Sequence, residues 1–376
     1  MRYGKWNVIR ELDKGGQAII YIVLDSTLMD FEKETWPEIK NSVLGITAIS
    51  TEAAQLNCAR KLVETIARYL KANGEDNARV LKMLHAPIRN DLKAKERLSK
   101  EVAILSKNLH PNILKIVDSS IPDGWFVTSY YPMGNLSIHK IKYQGKPLET
   151  LITMRPLVEA VAALHEVKII HRDIKPDNIF VTDNGLVLGD FGIAHLEDED
   201  NTRVSETYEN VGSRDWMPTW AMGMKLDDVK PTFDVFGLGK VLWSMVSGKS
   251  KLRLWYYNRP EFDLTCLFPN DERMFLINKI LGGCLVENEE DCKYASAQEL
   301  ITGIDQTISI LQRGGQVIDK TVTRICRVCG IGAYKERVDK HGKIVRGYNA
   351  KFYECQNCGH DQSFMFDPPH PASGDL

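Results

Sequence analysis

The sequence predicts an α+β chain with a strand-rich first lobe, a helical second lobe and a small β unit after them. Three observations lead there. Up to about residue 131, short runs rich in Ile, Val and Tyr are punctuated by Gly-containing turns. From about residue 233 the chain is mostly helical in pattern, as in "DVFGLGKVLWSMVSGK" and "ASAQELITGIDQTISILQ". Beyond a linker-like stretch, "RGGQVIDKT", come two Cys-x-x-Cys pairs, Cys326/Cys329 and Cys355/Cys358. The expected division is 1–306 for the two lobes, 307–320 for a linker, 321–366 for the small unit and 367–376 for a Pro-rich polar tail without fixed structure.

Residues 6–24 alternate around "DKGGQ" and predict two strands joined by a glycine turn. An insertion of about 27–77 follows. Within it, Leu56, Ala59, Val63, Ile66 and Leu70 fall at helical spacing, predicting a helix over 51–72. Ser50 or Thr51 can cap its start, and Asn73-Gly74 can end it. That helix is expected to pack on the first lobe, against the helix that carries Glu101. "ARVLKML" (78–84) predicts a strand and "KAKERLSKEVAILSKN" a helix. "IPDGWFVTSYY" predicts a hairpin turning at Asp123-Gly124, and "VTDNGLVLGD" one turning at Asn184-Gly185.

Composition narrows the classes. The 376 residues are 43% hydrophobic and 26% charged with a net charge of −2, so no whole-protein field favours nucleic acid or an acidic membrane. No apolar run approaches the ~20 residues a membrane helix needs. "MRYGKWNVIREL" has no apolar signal region, and a cytoplasmic location is expected. Of the eight cysteines, Cys58, Cys266, Cys284 and Cys292 are scattered, in keeping with plain buried or surface residues.

The densest chemistry lies in "HRDIKPDN" (171–178) and "DFG" (190–192). Together these stretches resemble the eukaryotic-like protein kinases, in the Ser/Thr branch, over residues 6 to about 306. The resemblance implies a bilobal fold, ATP, and Mg2+ or Mn2+ as cofactor. It implies Asp173 as the base for a protein hydroxyl, Lys175 near the transferring phosphate, and Asn178 and Asp190 as metal ligands. Lys82 of "RVLK" matches the lysine that grips phosphates, Glu101 its helix partner, and "HPNI" (110–113) follows at the family's place. Taken singly, either charge reads first as a solvated surface group; the context of "HPNI" favours the family's role. Thr128 matches the gatekeeper, Ser129, Tyr130 and Tyr131 the adenine-binding hinge, and Ile20 the residue that covers adenine. Asp234 matches the helix residue that props the catalytic loop. Gly212-Ser213 match the family's small residue near the base. Thr202, Ser205, Thr207 and Tyr208 are candidate phosphorylation sites, with Arg172 as a phosphate partner; a plain loop is the alternative. The protein-kinase form of the loop argues against small-molecule substrates.

The chain departs from the family in two places. Its phosphate loop, "LDKGGQAIIY", keeps the central Gly15 with Gly16 beside it, but places Asp13 and Ala18 where the family has glycine. In "DWMPTWAMGM", Trp220 stands where the family has the Glu of Ala-Pro-Glu, and the region that supplies its arginine offers Lys293 or Cys292. Losing both halves of a buried ion pair is less damaging than losing one. A differently packed second lobe is the expectation, and a pseudokinase scaffold or switch is the alternative to an active Ser/Thr kinase.

The cysteine pairs resemble the two knuckles of a zinc ribbon, presenting four thiolates to one Zn2+. So short a unit would draw its folding energy from the metal. His360 is a spare ligand, and a rubredoxin-type iron site the minor alternative. Residues 321–366 hold eight Lys+Arg against four Asp+Glu, interspersed with Tyr334, Tyr348, Phe352 and Tyr353. That pattern fits a nucleic-acid face less well than it fits a small domain's ordinary core and surface. A docking module for a partner protein or substrate is the expected role.

Overall fold

The computed structural model describes residues 1–14, 18–25, 35–48, 51–72, 77–191, 215–222, 224, 228–314, 328, 334–336, 351–355 and 357–364. The chain divides into two compact units: Met1–Asn108 with Leu114–Pro132, and Leu109–Ile113 with Met133–Leu376.

The first unit is built on a six-stranded sheet. In chain order its strands are β1 (Arg2–Tyr3), β2 (Trp6–Lys14), β3 (Ala18–Asp25), β4 (Arg79–Leu84), β5 (Ile116–Ser120) and β6 (Trp125–Ser129), and in space they run β1-β2-β3-β4-β6-β5. All pairings are antiparallel. Because side chains alternate across a strand, register sorts residues onto two faces. One face carries Tyr21, Val23, Leu81, Met83, Trp125 and Val127, which close with Trp6 into an apolar core. On the other face Ile20 lies opposite Lys82, Lys82 opposite Phe126, and Thr128 opposite Val80.

Between β3 and β4 lie two helices, α1 (Trp36–Ala48) and α2 (Glu52–Ala72). The expected helix is present, and α1 is an element the sequence reading missed. The hairpin is tied by Thr65, whose hydroxyl donates to Glu38 at 3.1 Å. The expected packing of the α2 stripe is corrected by its exposure: Leu56 and Val63 are each 65% exposed and Ile66 38%. The face turned toward cover is instead the neighbouring one, which includes Cys58, Leu62 and Thr65. Helix α3 (Leu92–Leu105) completes the unit, with the Asp91 side chain capping its start through the Ala94 amide.

The second unit is mostly helical. Its helices are α4 (Leu136–His139), α5 (Pro147–Glu166), α6 (Thr232–Ser247), α7 (Leu264–Leu267), α8 (Met274–Cys284) and α9 (Ala297–Gly314). Every residue of α6 is buried, so it forms the axis of this unit. Two short strands, β7 (Ile179–Thr182) and β8 (Gly185–Leu188), form a hairpin. Its turn is Asp183-Asn184, not the expected Asn184-Gly185, because Gly185 with φ +121° already pairs with Thr182. The β5–β6 turn spans Ile121–Gly124, longer than the expected two residues. Helix α9 continues to Gly314 with Thr307 and Leu311 buried, so the first part of the expected 307–320 linker is helix.

The small C-terminal sheet is three-stranded and antiparallel, in the order β11 (Asp361–Phe364), β10 (Lys351–Cys355), β9 (Tyr334–Glu336). No helix among the described residues is long and apolar enough to cross a membrane.

Candidate active site

The charges singled out in the sequence fall into two constellations, one in each unit. In the first unit, β4 presents Lys82 and α3 presents Glu101. The Lys82 ammonium donates to both Glu101 oxygens, at 2.8 and 3.0 Å, and lies 5.6 Å from the Phe126 ring centre. Glu101 is only 5% exposed, and a carboxylate so buried needs a partner such as this ammonium. Ile20 and Thr128 share the Lys82 face of the sheet, and Tyr130 packs on Ile22, Leu24 and Ala78. Asp13 ends β2, with the following amide donating to its carboxylate at 2.7 Å. Gly15 and Gly16 lie outside the described residues.

In the second unit, the loop after α5 carries His171 to Asn178. The Lys175 ammonium donates to both oxygens of Asp173, at 2.9 and 2.7 Å. The Asn178 amide donates to the Asp173 carboxylate at 2.7 Å and to its main-chain carbonyl at 2.9 Å. With its NH2 turned to Asp173, Asn178 keeps its amide oxygen for another partner. The β7–β8 hairpin leads to Asp190, exposed on a left-handed backbone with φ +55°, while Phe191 is buried edge-on against His171 at 4.6 Å. The "HPNI" stretch is fixed to this hairpin: Asn112 donates to the Leu186 carbonyl at 2.7 Å.

One buried carboxylate organises the loop. Asp234, 1% exposed in the first turn of α6, accepts the His171 and Arg172 amides, each at 2.8 Å, and meets His165 Nε2 at 3.0 Å. Burial alone raises its pKa. The His165 hydrogen bond, the two imidazoles and the Arg172 amide outweigh that and hold it below the ordinary value. Arg172 is left-handed at φ +68°, a conformation costing about 1–2 kcal/mol for a residue with a side chain. The Asp234 bond to its amide offsets that strain. Gly237, one turn further along α6, lets the loop approach: a Cβ there would stand 3.0 Å from the Ile174 carbonyl. The sequence reading had Asp234 but missed His165, at the end of α5.

The replaced ion pair is resolved by apolar packing. Trp220 meets Phe233 edge-on at 6.4 Å and joins a cluster of Met217, Ala221, Val229 and Phe233. Lys293 lies over the Tyr294 ring, and the Cys292 thiol donates to the carbonyls of Gly283 and Tyr294. A different charge pair ties this region, Lys230 with Glu289 at 3.1 Å, and Glu289 also accepts the Thr232 hydroxyl at 2.6 Å. Thr202, Ser205, Thr207, Tyr208, Gly212 and Ser213 lie outside the described residues.

At the C-terminal pair, Cys355 and Cys358 are both buried. The Asn357 amide points to Cys355 Sγ at 3.4 Å, the Gly359 amide donates to the Cys355 carbonyl at 2.9 Å, and Gly359 has φ +74°. The glycine permits a turn that a side chain would oppose. Cys326 and Cys329 lie outside the described residues, and among those described no group of three metal-binding side chains forms.

Comparison with known proteins settles the family. A model described as a protein kinase domain matches residues 67–262, over half of the chain. The chain belongs to this family. A probable serine/threonine-protein kinase of Clostridium perfringens is 31% identical over 173 residues, covering 45% of this chain and 24% of that protein. One from Corynebacterium efficiens is 29% identical over 178 residues, covering 45% and 26%. The serine/threonine/tyrosine-protein kinase HT1 of Arabidopsis thaliana is 28% identical over 224 residues, covering 57% and 55%. The matches thus span about a quarter of the first two relatives' length and about half of the third's. Among solved structures, the kinase domain of Mycobacterium tuberculosis PknI shares the fold, with TM-score 0.50 at 15% identity over 82% of this chain and 97% of that one.

Proposed function

We propose that this kinase-family chain is an active protein Ser/Thr kinase that transfers the γ-phosphate of ATP to protein hydroxyls. The observation that carries the proposal is the Asp173 clamp: a carboxylate aligned at both oxygens by Lys175 and Asn178, on a loop pinned by Asp234. Asp173 orients the substrate hydroxyl and takes its proton. Lys175, beside it, stabilises charge on the moving phosphate. The Asn178 oxygen and the exposed Asp190 carboxylate are hard oxygen donors, which suit Mg2+ or Mn2+. The cation supplies neutralisation of the phosphate charge. Lys82, paired with Glu101, is the partner of the ATP phosphates, and Ile20, Thr128 and Tyr130 bound its adenine. Transfer of labelled γ-phosphate to a mixed protein substrate by the full chain, lost in both Asp173→Ala and Asp190→Ala, is the expected result. No transfer from wild type under saturating Mg·ATP would assign the chain to the scaffold class instead.

The C-terminal sheet is proposed to be a zinc ribbon completed by Cys326 and Cys329. In support, an amide directed at a cysteine sulfur and a left-handed glycine after the second cysteine give the turn needed to present two thiolates to one cation. Its proposed role is to hold a protein partner or substrate. One zinc per chain by elemental analysis is expected, lost in Cys355→Ser and Cys326→Ser alike. Iron in place of zinc, or no metal, would overturn the assignment, and nucleic-acid binding that falls steeply with salt would reassign the role.

A further inference from the structure

Helix α6 contains a lysine where its surroundings are otherwise apolar. Lys240 is 2% exposed, in a helix whose every residue is buried. Its ammonium donates to the carbonyl of Asp215 and to that of Leu252, the latter at 3.1 Å, and stands 5.2 Å from the Phe236 ring centre. Among the described residues no carboxylate lies within ion-pair distance of it. The Asp215 carboxylate turns outward instead, 3.8 Å from Lys251. The charge of Lys240 is therefore spent on main-chain oxygens and a ring face. An aliphatic residue would avoid the desolvation cost and serve the core at least as well.

What those oxygens hold is informative. Asp215 leads directly into Trp216 and Met217. These two, with Phe233, line a small hollow that also includes Asp173. The same stretch ends at Trp220, where the family's ion pair is missing. Apolar packing of Met217 and Trp220 fixes the body of the stretch, whereas Asp215 at its start is exposed and, among the described residues, is tied to α6 through its carbonyl.

We propose that Lys240 is a positioning residue for the protein substrate. It pins the main chain at residue 215 to α6 and so sets the Trp216–Met217 wall beside Asp173, in place of the absent Glu–Arg pair. This rests on the kinase reading of the site. The peptide flanking the accepting hydroxyl is the group that meets this wall. Lys240 touches neither ATP nor the reacting atoms.

The test is Lys240→Met in the full chain, with Lys240→Gln as the variant that keeps an N–H donor. Three readouts are compared: KM for a protein substrate, KM for ATP, and hydrogen exchange of residues 215–222 against that of α6. For the Met variant, KM for protein is expected to rise about tenfold, as the loss of a charge-assisted hydrogen bond implies. KM for ATP is expected to stay unchanged, exchange at 215–222 to quicken while α6 stays protected, and the Gln variant to recover part of both effects. Unchanged exchange at 215–222 in the Met variant would overturn the proposal. So would a parallel loss of ATP affinity, protein affinity and α6 protection, which marks a merely structural residue. Should the Met variant not fold, the Gln variant against wild type decides on the same readouts. Should wild type transfer no phosphate, the kinase reading fails, and the exchange measurement still decides whether Lys240 holds the segment at 215–222.

Discussion

Removing the Asp234 carboxylate tests how the catalytic loop is held. Asp234→Ala withdraws the acceptor from the His171 and Arg172 amides and from His165, at 2.8, 2.8 and 3.0 Å. His171 and Arg172 are both buried, so no water replaces the acceptor without rearrangement. Two orphaned buried amides cost about 1–3 kcal/mol each, and the imidazole contact adds about 1 kcal/mol. Part of this is offset because a buried carboxylate no longer needs to be desolvated. A net loss of about 3–5 kcal/mol is expected by urea denaturation of the full chain. Asp234→Asn retains one acceptor oxygen and is expected to lose about half as much. The pH dependence has a definite sign. The folded pKa of Asp234 lies below its ordinary 3.8, so its contribution is complete at neutral pH and fades as pH falls from about 3.8 through the folded value. Wild type and Asp234→Ala should therefore converge in acid. A loss under about 1 kcal/mol at pH 7, or a gap that persists unchanged below the folded pKa, would refute the reasoning.

Three further outcomes follow from the same structure. Trp220→Glu restores the family's residue without its arginine and sets a carboxylate against Phe233; a loss of about 2–4 kcal/mol is expected by denaturation, whereas Trp220→Phe should lose under about 1.5 kcal/mol. Burial pushes the Lys240 pKa down to about 8, against a smaller upward pull from Asp215, whose neighbour is Lys251. A depressed lysine pKa means the unfolded chain holds more protons between about 8 and 10.5, so stability rises with pH there. Against Lys240→Met, wild type should gain up to about 3 kcal/mol across that window, read from denaturation midpoints. Asp91→Ala removes the cap of α3, the helix that carries Glu101; about 1 kcal/mol of stability should be lost, with faster amide exchange confined to the first turn of that helix.

Much of this was legible in the sequence where local pattern and motif agree. The strands flanking "DKGGQ" and the "RVLK" strand followed from alternation, and strand register then accounts for why Ile20, Lys82 and Thr128 share a face. The Asp173, Lys175 and Asn178 cluster was legible because its members are close in sequence. Other features depend on what lies opposite. Spacing gave α2 its amphipathic stripe, but spacing does not say what covers it, and Leu56 and Val63 stand exposed. Helix α1 was hidden by Pro37, Gly45 and several β-branched residues, which weaken its propensity; Pro37 is tolerated because it sits in the first turn. The hairpin turn fell one residue early because Gly185 serves the strand pairing rather than the turn. Lys240 gave a signal that went unread: a single charge in "GLGKVLW", a run apolar on all sides.

The most direct test of the central claim measures Mg·ATP affinity and phosphate transfer side by side for wild type, Lys82→Met and Asp173→Ala. Lys82→Met should weaken both. Asp173→Ala should keep wild-type ATP affinity and lose transfer by at least about 100-fold, as removal of a general base implies. Wild type that binds Mg·ATP and transfers nothing, or Asp173→Ala that transfers as well as wild type, would contradict the assignment of Asp173 as the base of a working kinase.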